Sequence, residues 1–183
     1  VVPKLGLAWA TAAGPLALVA RVNTGRLFRD PGFDELYIRG PGIEGDPTLR
    51  PEDGWGGDVG LTVEVAAGAL RATLDAMVFA QRYDRLILFV PDDAFTIRAR
   101  DDFAAAVDGV ELALRLGFGP VRFEGTWLGQ DARFTTSPAA PLPDRPAHRL
   151  TGLLAAELGP VTPFALGRWH GTIHADRFGS RTR

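Results

Sequence analysis

Apolar and polar positions come in short blocks along this chain, and the blocks predict a mixture of strands and helices. Leu5 to Ala13 is apolar and alanine-rich and predicts a short helix that stops near Gly14-Pro15. Leu16 to Val22 predicts a strand, closed by the turn signal Asn23-Thr24-Gly25, and Phe33 to Arg39 predicts a second strand after Asp30-Pro31-Gly32. Gly60 to Val65 predicts a third strand. The next block, Ala69 to Tyr83, places Leu70, Leu74, Met77 and Val78 on one helical face. Leu86 to Val90 is an unbroken apolar run, as in a central strand covered on both sides. Asp101 and Asp102 can cap a helix that carries Phe103, Ala106, Val107, Val110 and Leu114 on one stripe and ends at Gly117 and Gly119. Val121 to Phe123 predicts a short strand, and residues 124–134 a hairpin around Gly129. Leu150, Leu153, Leu154 and Leu158 predict a short amphipathic helix ended by Gly159-Pro160, with a second short helix near Pro163 to Gly167.

Strands joined by helical crossovers imply an α/β fold: a central mixed β-sheet flanked by helices. The Pro-rich stretch Thr135 to Pro146 reads as a linker. The expected organisation is therefore an α/β domain over residues 1–134, a linker over 135–147, and a small helical, basic-aromatic extension over 148–183.

Composition narrows the function classes. The 183 residues are 46% hydrophobic, enough to bury a core. No apolar run approaches the length of a membrane-spanning helix, and the first residues lack the basic-then-apolar order of a signal peptide. The absence of cysteine excludes disulfides and thiolate metal sites and fits a reducing cytoplasm. The expectation is a cytoplasmic protein with no membrane partner. A net charge of −2 gives no global attraction to nucleic acid, so a polyanion site must come from local clusters. Lys4 is the only lysine, which leaves the cationic chemistry to arginine.

The order of these elements resembles the restriction-endonuclease-like superfamily with the PD-(D/E)XK motif, over roughly residues 16–124. Asp34, in Gly32-Phe33-Asp34-Glu35-Leu36-Tyr37-Ile38, matches the first acid of the motif. Glu64, in Val63-Glu64-Val65-Ala66, matches the second. Tyr83 to Pro91 matches the hydrophobic strand that follows. Ala66 stands where the superfamily usually keeps its lysine. The resemblance implies a nucleic-acid-binding protein with a nuclease-like fold. It would be a degenerate or weak Mg²⁺-dependent phosphodiesterase acting on DNA ahead of RNA, and could work as a homodimer. Asp34, Asp58 and Glu64 would hold the metal, and Arg71 would contact phosphate beside the catalytic pair Asp34 and Glu64. The bland alternative makes Glu64 a solvent-face acid and Arg71 a solvated arginine.

Arg82 and the tail segment Arg168-Trp169-His170-Gly171-Thr172-Ile173-His174-Ala175-Asp176-Arg177 form the candidate nucleic-acid-binding patch, through Arg82, Arg168, Trp169, His170, His174 and Arg177. Two rival readings use the same residues. One is a non-enzymatic interaction module presenting Trp55 and Trp169. The other is a small-molecule enzyme built on His170, His174 and Asp176, with zinc as its metal version.

Overall fold

The computed structural model describes residues 2–92, 95–136 and 140–173. Ten strands and one short helix follow each other in the order β1 (Lys4–Ala13), β2 (Leu16–Arg29), α1 (Phe33–Tyr37), β3 (Arg39–Gly40), β4 (Ile43–Glu44), β5 (Glu52–Ala67), β6 (Leu70–Pro91), β7 (Ile97–Phe118), β8 (Val121–Phe134), β9 (His148–Ala156) and β10 (Phe164–His170). The eight long strands lie side by side in sheet order β1-β2-β5-β6-β7-β8-β9-β10, every neighbouring pair antiparallel. This meander overturns the expected α/β fold and with it the restriction-endonuclease-like resemblance, because among the described residues there are no helical crossovers and no flanking helices.

The helices expected over Leu5 to Ala13, Ala69 to Tyr83, after Asp101, and near Leu150 are strands β1, β6, β7 and β9. Of the glycines read as helix stops, Gly14, Gly119 and Gly159 are hairpin turns and Gly117 lies inside β7, while Gly68 makes a fourth turn. Gly14, Gly68, Gly119 and Gly159 have φ of +57°, +57°, +56° and +66°. Each is followed by Pro or Ala. Glycine at the first central position of a two-residue loop is type II′ chemistry, whose twist matches the flanking strands. All four of these tight turns fall at one end of the sheet. The connections at the other end are longer. The expected strand Phe33 to Arg39 is mostly helix α1, which lies within the longest of them, residues 30–51.

Most of the buried apolar side chains gather at the long-loop end. Leu86, Ala105, Val107, Phe134 and Leu142 form the cluster, with Phe79, Tyr83 and Phe103 packed against it. Leu142 gets there because residues 140–147 run back along β8. Leu142 N–H donates to Ala132 O, and Gln130 N–H to Ala147 O, both at 2.9 Å. The sheet continues past this segment, since β9 pairs with β8.

The loop over residues 30–51 is tied down by charge. Arg29 donates two hydrogen bonds to Glu52 (2.7 and 2.8 Å) and two to Glu35 of α1 (both 2.9 Å). Glu52 is buried and also accepts the Ile87 N–H at 3.0 Å. The Arg29 hydrogen bonds hold the Glu35 carboxyl below its ordinary range. Partial burial opposes that shift, and the Gly32 N–H reinforces it. A carboxyl lowered on folding stabilises the clamp above its unfolded pKa of about 4.3 and loses that contribution as pH falls through the folded value. Proteolytic opening of residues 30–51 should stay constant from neutral pH to about pH 5 and rise below about pH 4. Glu35→Gln should flatten that profile, and equal opening of wild type at every pH would refute the clamp.

Candidate functional site

The two faces of the sheet follow from register. Residues paired across strands share a face, and successive residues alternate. One face carries Leu5, Leu7 and Trp9 of β1; Leu16, Leu18, Ala20 and Val22 of β2; and Val59, Leu61, Val63 and Val65 of β5. It continues through Leu70, Ala72, Leu74, Ala76 and Val78 of β6 to Val110, Leu112, Leu114, Leu116 and Phe118 of β7. Phe123 and Trp127 of β8, Leu150 and Leu154 of β9, and Trp169 of β10 complete it.

No charged residue interrupts this face from the tight turns up to Leu5, Val22, Val59, Ala80, Val110, Gly129, Leu150 and Trp169. It is nonetheless exposed: Leu7 is 72% accessible, Trp9 60%, Val59 56% and Val78 52%. A contiguous apolar surface over eight strands is far beyond what a soluble monomer leaves in water. On β6 the uncharged stretch runs from Leu70 to Ala80. Ten residue steps make roughly 33 Å of strand, or about 25 Å of height at a tilt of about 40°, which is the hydrocarbon band of a membrane barrel.

Charge begins on this face only beyond the band. There Arg26 pairs with Asp53 at 2.6 Å, Arg82 pairs with Asp108 at 2.6 Å, and Arg133 bridges Asp108 and Asp131. All four tryptophans, Trp9, Trp55, Trp127 and Trp169, lie on the same face. No described helix is long and apolar enough to cross a membrane, so any crossing is made by strands.

The opposite face is polar and hydrogen-bonded. At mid-height Arg21 donates to both Asp75 oxygens (2.7 and 2.9 Å) and to Thr62 Oγ1 (2.9 Å), and Thr62 donates to Asp75 at 2.6 Å. Gly60 leaves the room for this reach, since a Cβ there would lie 2.7 Å from Arg21 Cζ. Nearer the long loops a cavity of about 610 Å³ opens on the same face, lined among others by Asn23, Asp58, Phe79, Glu111, Gln130 and Arg145. Asn23 Nδ2 donates to Asp58 Oδ1 at 2.9 Å. Amides, acids and a base around an aromatic floor can hold a polar solute by hydrogen bonds and contact.

The residues singled out from the sequence do not converge. Asp34 sits on α1 at the long-loop end, whereas Glu64 is near the tight turn of β5, twelve residues from the Glu52 end. Asp58 shares the polar face with Glu64 but is six residues away, or roughly 20 Å along the strand. These acids are too far apart to share one ion, and among the described residues no group of three or more His, Asp or Glu could hold a metal. Arg71 is beside the Gly68 turn and donates to Gly68 O and Leu70 O. Arg82 is on the apolar face above the band. Arg168 and His170 point to the polar face and Trp169 to the apolar one. His174, Asp176 and Arg177 lie outside the described residues. Sequence reasoning missed the Arg21–Thr62–Asp75 group, whose signal was alternation: each is a polar residue flanked on both sides by apolar or small ones.

No curated protein matches the chain. A family model described as TonB dependent receptor-like, beta-barrel matches residues 1–183, in keeping with an antiparallel meander that is apolar on one face and polar on the other, and the chain therefore belongs to that family.

Proposed function

We propose that this chain forms a stretch of outer-membrane barrel wall that serves a receptor or transport function. Its apolar face lies against acyl chains, and its polar face lines a wet interior that admits a polar solute. The observation that supports this best is the uncharged outer band, which has the height of a bilayer core and is bounded by ion pairs at the long-loop end. Tight turns at one end and long connections at the other are the further habit of such barrels. In lipid, the outward backbone groups of the edge strands β1 and β10 also need partners.

Family membership corrects the earlier expectations of function and place. It points to outer-membrane transport or reception, in place of a nuclease, a DNA-binding protein, or either rival reading of the tail. The cytoplasmic location, the nucleic-acid partner and the absence of a membrane partner fall with it. The physical reason is that a spanning strand needs only about ten residues of alternating hydrophobicity, so a search for a long apolar run passes over it.

The test is fractionation of cells expressing the protein. It should sediment with the outer membrane on a sucrose gradient and resist carbonate extraction. Recovery of folded protein in the soluble fraction would overturn the proposal.

A further inference from the structure

On the polar face Arg21 is matched by Asp75 and Arg29 by Glu52, Arg115 stands opposite Glu124 in register, and Arg71 at the turn end is held by the Gly68 and Leu70 carbonyls. The wall formed by β9 and β10 is different. Arg149 and His170 are directly opposed in register, and Arg168, opposed to Thr151, lies on the same face two residues along. All three are exposed. The other described residues of this face on the two strands are Thr151, Leu153, Ala155, Phe164 and Leu166, with no acid among them. Glu111 is in the row of Arg149, but Leu128 stands between them, two strand spacings or about 9.6 Å across. Glu124, opposite Leu153, is four residues along from Arg149 towards the turn, stands opposite Arg115 in register and lies 3.6 Å from Arg122. Among the described residues neither Arg149 nor Arg168 has an ion-pair partner. Opposed like charges on a sheet are unfavourable, so this row repels itself whenever the imidazole is charged.

We propose that Arg149, Arg168 and His170 form an anion-binding stripe on the inner wall that takes a small phosphate-bearing solute. Two guanidinium groups supply bidentate donors suited to phosphate oxygens, and the imidazole supplies a third donor. Leu128 and Glu111, in the row of Arg149, also line the 610 Å³ cavity, as does Arg145 of the preceding loop. The stripe therefore adjoins this cavity through Leu128. The inference rests on reading the polar face as the wet side of a membrane wall.

The experiment is isothermal titration of inorganic pyrophosphate into the membrane-embedded protein at low ionic strength. Wild type should bind, and more weakly as salt is added. The R149Q/R168Q variant should bind about tenfold more weakly or not at all, R149K/R168K, which keeps the charge but loses the bidentate fork, should fall between that variant and wild type, and R71Q at the turn end should match wild type. No binding by wild type, or equal binding by R149Q/R168Q, would overturn the stripe. Membrane retention of the same samples reports separately on the barrel-wall reading, so failure of one is told apart from failure of the other.

Discussion

Leu74→Arg should lower the stability of the protein in a bilayer by about 2–4 kcal/mol, the cost of an arginine facing lipid near the midplane of a strand barrel. Leu74 stands on the apolar face of β6 between Val63 and Leu114, about halfway along the uncharged band. It is 42% exposed. In a soluble protein a surface leucine with that much exposure would tolerate the change within about 0.5 kcal/mol. The same substitution on the other face gives the contrast. Ala113 is directly opposite Asp75, so Ala113→Arg adds a cation beside an acid in a polar environment and should cost far less. Equilibrium urea unfolding in lipid vesicles reads both values. Equal, small effects would remove the assignment of faces.

Glu52→Ala should be the most damaging change at the long-loop end, by about 2–3 kcal/mol. Its carboxylate accepts two hydrogen bonds from Arg29 and one from the Ile87 N–H, and among the described residues it is the one buried charged or polar side chain. Truncation leaves the Ile87 N–H without its acceptor and takes away one of the two acids that hold Arg29. The Arg29 side chain is 46% exposed, so water recovers part of that loss and the effect stays below that of a fully buried pair. Glu52→Gln keeps one acceptor for Ile87 and should cost about half as much. Thermal unfolding with hydrogen exchange of residues 30–51 and 86–88 checks both. Unchanged exchange in Glu52→Ala would refute the role given to the clamp.

Part of this fold was legible in the sequence. The turn glycines were visible, as were the strand signals at Leu16 to Val22, Leu86 to Val90 and Val121 to Phe123, all of which fall inside strands. The periodicity misled for a specific reason. On β6 the outward positions alternate large and small: Leu70, Ala72, Leu74, Ala76, Val78, Ala80. If only the large residues are counted, they recur every four positions and imitate a helix. The inward residues Met77 and Phe79 are apolar too, which blurs the alternation further. The strand period appears once alanine is accepted as a lipid-facing residue. On β7 the run Val110, Leu112, Leu114, Leu116, Phe118, alternating with Glu111, Ala113, Arg115 and Gly117, carried the signal more openly.

The candidate site was less legible still. Glu64 and Asp34 were paired on the strength of an expected fold, and their separation follows once β5 runs from the loop end to the turn end of the sheet. The tail cluster was seen as one patch, but a strand sends its neighbours to opposite faces. Arg168 and His170 belong to the inner wall and Trp169 to the outer one.

The central claim is that the apolar face of this sheet lies in lipid, and Trp9 tests it most directly. It sits on that face about 14 Å along the sheet axis from the tight turn, close to the bilayer midplane. A variant keeping Trp9 as its sole tryptophan, with Trp55, Trp127 and Trp169 replaced by phenylalanine, should lose most of its fluorescence in vesicles whose acyl chains carry bromine near the bilayer centre, and should resist quenching by aqueous acrylamide. Strong acrylamide quenching with no response to brominated lipid would place Trp9 in water and contradict the account.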